Sequence, residues 1–328
     1  MRSLQLFVPS RLPVAANERG MLAAMPGLAR IVSRSRATTL DKDLEGLLLE
    51  SFGVQRQRDW PVAPLSWLGE GGDPGTRYWL RADPVHLRPE RGTLVLLDAR
   101  HFTLDAESAR ALVDALNAHF EPESVQFFAP HPSRWYAAID KAPEIATFAL
   151  RSAAGCSIEP LLPQGNGALT WHRWFNEIQM LLHSHPVNEA REAADQPTVN
   201  SVWFWGGGVL PSASPSGLAG VWGDNPLLRG LARAGGLSWA ADPQRAEQWF
   251  AQASEGKHLL VLDPTPVGQR SSLESLERRW FGPIVQALKQ RRLSALVLVA
   301  DNVQGLLRLE LTASDLWKFW RRMPTLAH

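Results

Sequence analysis

Apolar positions along this chain fall into two patterns. Short continuous runs at 4–8, 93–97, 199–205, 258–262 and 295–299 predict strands buried on both faces. Between them, apolar residues recur at helical spacing. Leu44, Leu47, Leu48 and Phe52 share a face of a helix over 41–51, and Ala109, Leu112, Val113 and Leu116 share one over 105–119. Ser271 and Glu274 have the spacing of a capping box that opens a helix reaching about residue 290, with Trp280, Phe281, Ile284, Val285 and Leu288 on one face. Further helices are predicted over 20–33, 171–185 (stopped by Pro186), 225–234, 243–254 and 313–322. A short strand at 78–82 is expected to end at Asp83-Pro84. The runs 124–128 and 134–139 read as a strand pair turned by Pro130-His131-Pro132, and 306–311 as an edge strand. The stretch 53–76, rich in Pro, Gly and Trp, reads as a long loop.

Buried strands alternating with amphipathic helices predict an α/β fold, a mainly parallel sheet flanked by helices. The segments 94–97, 199–205, 258–262 and 295–299 are expected in one sheet, with their carboxyl ends at a common cleft. The expected division is an irregular N-terminal segment with helices, 1–76, followed by an α/β domain, 77–328, carrying an inserted sub-lobe around 105–170.

Charge narrows the function classes. The 328 residues hold 34 Lys plus Arg against 33 Asp plus Glu, a net charge of +1, which argues against nucleic acid as a partner. No apolar run approaches the ~20 residues needed to span a bilayer. The N-terminus is a poor signal peptide because Pro9 breaks its short apolar stretch, so a cytoplasmic location and no membrane partner are expected. The single cysteine, Cys156, excludes an intrachain disulfide and a thiolate zinc cluster. Fourteen tryptophans suit a core seam or an interface.

The candidate chemistry is sparse. Asp98, Asp263 and Asp301 each follow an apolar run, where carboxylates serve as ligands for divalent metals or simply start turns. The histidines offer no H-E-x-x-H pair. Gly206-Gly207-Gly208 presents amides that suit an anion, or marks a sharp turn. It lacks the Lys-Ser or Lys-Thr of a P-loop, and Pro211 and Pro215 bar a dinucleotide-binding helix.

The segment from His183 to Arg191 (HSHPVNEAR), followed by Asn200 to Gly208 (NSVWFWGGG), resembles the central signature of archaeal-type cofactor-independent phosphoglycerate mutases. The similarity continues through the glycine-rich stretch from Gly220 to Gly236. Ala82-Asp-Pro-Val-His-Leu87, Leu94-Val-Leu-Leu-Asp98 and the segment from Asn176 to Leu182 make it closest to a bacterial branch, the RpfE-type regulatory proteins. The resemblance implies an alkaline-phosphatase-like fold in which active members place two divalent metals at strand ends and a serine takes the phosphoryl group. This chain departs from that pattern at the chemistry. No Asp-Gly-x-x-Asp stands at 4–13; Gln269 and Asn302 fall where the family has histidines. Asp263 and Asp301 remain as vestigial metal ligands. The resemblance thus implies a catalytically degenerate, regulatory or ligand- or partner-binding protein with no cofactor. The alternative is an active phosphoglycerate mutase or phosphatase in which Asn302 and Gln269 give oxygen ligands to Mg²⁺ or Mn²⁺. A third is a scaffold whose Trp-rich surface binds a protein. The expected ligand site joins His185, Asn188, Arg191 and Asn200 to Gly206, Gly207 and Gly208 as a pocket for a small phosphorylated or carboxylated molecule. The plainer reading is that Asn188 and Arg191 pin their segment to backbone carbonyls.

Overall fold

A strand that is apolar on both faces belongs inside a sheet, and the first run of the chain takes that place. In the computed structural model, which describes residues 1–14, 18–90, 92–215, 217–262, 270–302 and 305–317, strand β1 spans Arg2–Arg11 and is buried from Leu4 to Ser10. The later strands are β2 (Arg36–Leu40), β3 (Tyr78–Glu90), β4 (Thr93–Leu97), β5 (Val125–His131), β6 (Arg134–Ile139) and β7 (Ser201–Gly208). They continue with β8 (Leu218–Trp222), β9 (Trp239–Ala240), β10 (Gly256–Val261), β11 (Leu293–Asn302) and β12 (Gly305–Thr312).

The chain forms two units: residues 1–54 with 212–328, and residues 55–211. The boundary expected at 76–77 therefore differs from the observed division, in which both ends of the chain build the first unit. That unit holds a seven-stranded sheet in the order β2-β12-β11-β1-β10-β8-β9. β1 runs parallel to β10 and β11, β10 to β8 and β8 to β9, while β12 is antiparallel to β11 and β2. Leu4, Leu6, Leu260, Leu296 and Leu298 pack with Ile31 of the helix Pro26–Arg34 and with Ile284 and Leu288 of the helix Gly282–Lys289. Each such buried side chain contributes about 1.5–3 kcal/mol over an exposed one. The sheet is mostly parallel and flanked by helices, as the apolar runs predict.

The helix expected to reach residue 290 begins at Arg270 among the described residues and contains an irregularity. Arg270–Leu276 widens into a π-turn over Glu277–Phe281 before Gly282–Lys289 resumes, and the Gly282 amide bonds back to the Glu277 carbonyl. Pro283, which has no N–H to donate, accounts for the wider turn.

The second unit carries its own sheet, β4-β3-β6-β5 with β7 on β3, and all its pairings are antiparallel. Leu80, Trp135 and Phe204 pack there with Leu112 and Leu116 of the helix Ala106–Phe120 and with Trp171 and Ile178 of the helix Ala168–His183. The runs 94–97 and 199–205 therefore lie in this sheet, and 258–262 and 295–299 in the other. The four do not share one sheet. A continuous apolar run reports burial on two faces but neither the direction nor the identity of the neighbouring strand.

Two other local expectations change. The stretch 53–76 contains a helix, Val62–Gly69, buried nearly all round and so without an amphipathic period. Pro64 is tolerated in its first turn, where N–H groups have no helical partner. β3 continues through Asp83-Pro84 to Glu90. Its Asp83 carboxylate accepts from Arg81 at 2.6 Å, Trp205 Nε1 at 2.7 Å and Trp135 N at 3.2 Å, which satisfies a pair of residues that ordinarily turns a chain. Of the helix expected over 313–322, the described part is a single 3₁₀ turn, Asp315–Trp317. Trp79, Trp135, Trp171, Trp249 and Trp280 are core residues. Among the described residues no helix is long and apolar enough to cross a membrane.

Candidate functional site

The carboxyl ends of β1, β10 and β11 lie side by side in the first unit, where an open α/β sheet places its chemistry. Asp263, after β10, lies outside the described residues, as does Gln269. On β11, Asp301 and Asn302 are half-buried. β1 reaches them through an irregularity: Val8 is in register with Ala300, but Arg11 is in register with Asp301, so Pro9 and Ser10 are extra on the β1 side. Such a bulge re-aims the end of a strand. Here it sets an arginine, paired with Glu18 at 3.1 Å, beside the strand that carries the aspartate. Among the described residues no group of three or more His, Cys, Asp and Glu side chains is arranged to hold a metal ion.

The expected ligand site in the second unit separates into two places. Pro186 ends one helix and opens the next, Pro186–Ala193, where His185 Nδ1 caps the Val187 amide at 3.2 Å. Asn188 is 1% exposed. Its Nδ2 donates to the carbonyls of Leu182 and Val199, both at 2.8 Å, and its Oδ1 accepts from Val199 N at 2.9 Å. Asn200 does the same to one residue of β3, accepting from Leu87 N at 2.7 Å and donating to Leu87 O at 3.0 Å. Both asparagines thus fasten the entry to β7. Arg191 Nε donates to Pro197 O at 2.9 Å.

Gly206, Gly207 and Gly208 sit at the other end of β7. At about 3.3 Å per residue, the eight-residue strand holds them roughly 23 Å from Asn200. They do not meet Arg191. The protein itself engages this turn: the Gly207 amide hydrogen-bonds the Asp59 carboxylate, and the amide of the following Val209 donates to Gln57 at 3.1 Å. A Cβ on Gly208 would lie 2.6 Å from Pro61 Cβ, and one on Gly206 2.9 Å from Val62 Cβ. The glycines are there because the segment before the helix Val62–Gly69 packs directly on their backbone. Asp59 is 4% exposed and also accepts from Thr147 N and Oγ1. Burial raises its pKa against these hydrogen bonds, and burial also pushes the neighbouring Tyr78 hydroxyl up.

Arg191 faces a different set of partners. It lines a cavity of about 420 Å³ with Arg100, His101, Phe102 and the backbone that follows β4. Asp98, a strand-end carboxylate that suits a metal or a turn, organises that loop. It accepts from Arg100 Nε at 2.8 and 3.0 Å, from Arg100 N at 3.1 Å and from His101 Nδ1 at 3.3 Å. Burial acts to raise the Asp98 carboxyl, but the hydrogen bonds and charge of Arg100 outweigh it and hold it below the usual aspartate range. Burial lowers the Arg191 guanidinium, partly offset by the charge of Asp105. Arg100 and His101 escaped the sequence reading. Their signal was an arginine and a histidine that follow a strand-end aspartate after one intervening residue and precede a helix cap.

No family model matches the chain. It is similar to a probable 2,3-bisphosphoglycerate-independent phosphoglycerate mutase of Geobacter sulfurreducens, 28% identical over 238 residues, which cover 64% of this chain and 59% of the relative. The 2,3-bisphosphoglycerate-independent phosphoglycerate mutase of Methanosarcina mazei is 27% identical over 170 residues, 46% of this chain and 42% of the relative. That of Methanosarcina barkeri is 29% identical over 129 residues, 38% and 32% of the two chains. The matches thus span less than two thirds of each relative's length. Among solved structures, the cofactor-independent phosphoglycerate mutase of Thermoplasma acidophilum aligns over 99% of this chain and 94% of that one, with a TM-score of 0.51 at 16% identity. A protein of Pyrococcus horikoshii aligns over 95% and 87%, with a TM-score of 0.53 at 16% identity. The homologues are cofactor-independent phosphoglycerate mutases, and the chain shares their alkaline-phosphatase-like fold.

Proposed function

We propose that this chain is a phosphoglycerate-mutase-like protein that binds a small phosphorylated or carboxylated molecule in a regulatory role and does not turn it over. One observation carries the reading: Arg11 stands in register with Asp301 at the strand ends where the fold's active members place their metals. A pair of divalent ions needs oxygen or imidazole donors from several strand ends. Asp301 and Asn302 offer oxygens, but β1 ends in Val8-Pro9-Ser10-Arg11 and contributes a cation. A guanidinium cannot ligate a metal, and this one is paired with Glu18. Among the described residues, the donors at these strand ends do not make up a two-ion centre, which supports a chain that binds without the metal-based charge neutralisation a transferring phosphoryl group needs. A regulatory relative of the RpfE type is the finer form of the same proposal.

A coupled assay with 3-phosphoglycerate in the presence of Mn²⁺ or Mg²⁺ tests this. The expected rate is that of the protein-free background, unchanged in Asp301→Ala. Metal-dependent turnover that Asp301→Ala abolishes would establish the alternative, an active mutase or phosphatase with substituted ligands.

A further inference from the structure

The cavity after β4 presents groups whose hydrogen-bonding capacity the fold uses only in part. Arg100 and Arg191 approach it from different elements, one from the loop after β4 and one from the helix Pro186–Ala193. Each guanidinium is oriented through its Nε alone: Arg100 by Asp98, Arg191 by the Pro197 carbonyl. Among the described residues, neither arginine has a hydrogen-bond partner for its terminal nitrogens. Nε tethering fixes the plane of the fork and leaves its far edge unbonded, on the exposed Arg100 and on Arg191, which is 8% exposed, the geometry that receives a carboxylate or phosphate with two parallel bonds. The acidic groups nearby are already engaged. Both oxygens of Asp98 bond Arg100, and one also bonds His101; the oxygens of Asp105 accept from Ser108 N and Oγ, capping the helix Ala106–Phe120. Phe102 supplies an apolar wall, and the volume matches a metabolite rather than a macromolecule.

We propose that the cavity framed by Arg100, His101 and Arg191 is the ligand site of this chain and takes a small organic oxyanion, a phosphate monoester or a carboxylate. This rests on the reading of the chain as a binding protein. It also places the anion at the beginning of β7, away from the glycines, of which Gly207 is engaged by Asp59.

Calorimetric titration of the full chain with inorganic phosphate, 3-phosphoglycerate and malonate tests the site. Variants Arg100→Gln and Arg191→Gln accompany the unaltered chain, and Arg77→Gln, which lines a different cavity, serves as the control. Each of the first two is expected to weaken binding about tenfold or more through loss of a charge-assisted contact, with the control unchanged. The Arg100 side chain is 57% exposed, so Arg100→Gln keeps the test decisive if Arg191→Gln fails to fold. Binding of malonate without the phosphate esters assigns the site to carboxylates, and the converse to phosphate monoesters. Equal binding by all four proteins, or no binding of any probe at millimolar concentration, would overturn the site. Either result leaves the non-catalytic reading standing, whereas metal-dependent turnover would remove that reading and leave the site untouched.

Discussion

The carboxylate of Glu277 accepts a hydrogen bond from the backbone N–H of Gly27 at 2.7 Å, and its second oxygen accepts from Leu28 at 3.0 Å. Glu277 opens the π-turn, and the helix Pro26–Arg34 has no side-chain cap of its own at Met25. A residue from late in the chain therefore satisfies two orphan amides of an early helix. The approach is close enough that a Cβ on Gly27 would lie 2.6 Å from the Gly282 amide. Glu277→Ala is expected to lower stability by about 1–3 kcal/mol, since it leaves two buried donors unpaired. Gly27→Ala should destabilise as well, because backbone and not a flexible side chain blocks the added methyl. Urea unfolding followed by tryptophan fluorescence measures both, and a change within error for Glu277→Ala would contradict the capping role.

In the second unit, Asp83 and Arg81 form a buried ion pair, with the guanidinium 5.0 Å from the Tyr136 ring centroid and 5.3 Å from that of Trp205. Removing one partner leaves an uncompensated charge indoors. Asp83→Ala should cost about 3–5 kcal/mol, whereas the double variant Arg81→Met/Asp83→Leu should recover much of that loss. A double variant no more stable than Asp83→Ala would show that the pair is not the source of the cost.

Asp59 gives a pH signature. Its folded pKa is raised, chiefly by burial, so the folded chain holds this proton where the unfolded chain has released it. The group's contribution is greatest below the usual aspartate range and falls as pH rises through that range toward the raised folded value. Asp59→Asn removes the titration. The chain should therefore lose stability relative to Asp59→Asn as pH rises from the acidic side toward neutrality. The opposite slope, from denaturation midpoints at several pH values, would contradict the buried-carboxyl account.

Asn188→Ala should cost about 1–3 kcal/mol, because the carbonyls of Leu182 and Val199 and the Val199 amide lose their partner together. The loss should appear as a lower midpoint of thermal unfolding. An unchanged midpoint would mean that water replaces the asparagine at no cost, and that the segment is not pinned there.

The legibility of this protein in its sequence is uneven for physical reasons. The runs at 4–8, 258–262 and 295–299 announce central strands, because only a sheet covered on both faces tolerates them. The partition of 94–97 and 199–205 into a second sheet is not legible, since strand pairing is a nonlocal choice. In the sequence Asn188 and Asn200 stand out only through the motif they share with the resembled family, and their partners identify them as fasteners. The glycines at 206–208 suit an anion or a sharp turn in the sequence, whereas the groups that approach them, Asp59 with Pro61 and Val62, come from a distant stretch that reads as a loop. Arg191 was identified from its motif, whereas its companions Arg100 and His101 were hidden behind Asp98, a carboxylate whose spacing suits a metal as well as a turn.

The most direct test of the central claim is a Mn²⁺ titration of the chain and of Asp301→Ala, followed by electron paramagnetic resonance of the free ion. With Arg11 at the end of β1, the two titrations should superimpose and show no tightly bound pair of ions. Two Mn²⁺ bound per chain, both lost in Asp301→Ala, would contradict the claim that these strand ends no longer form a metal centre.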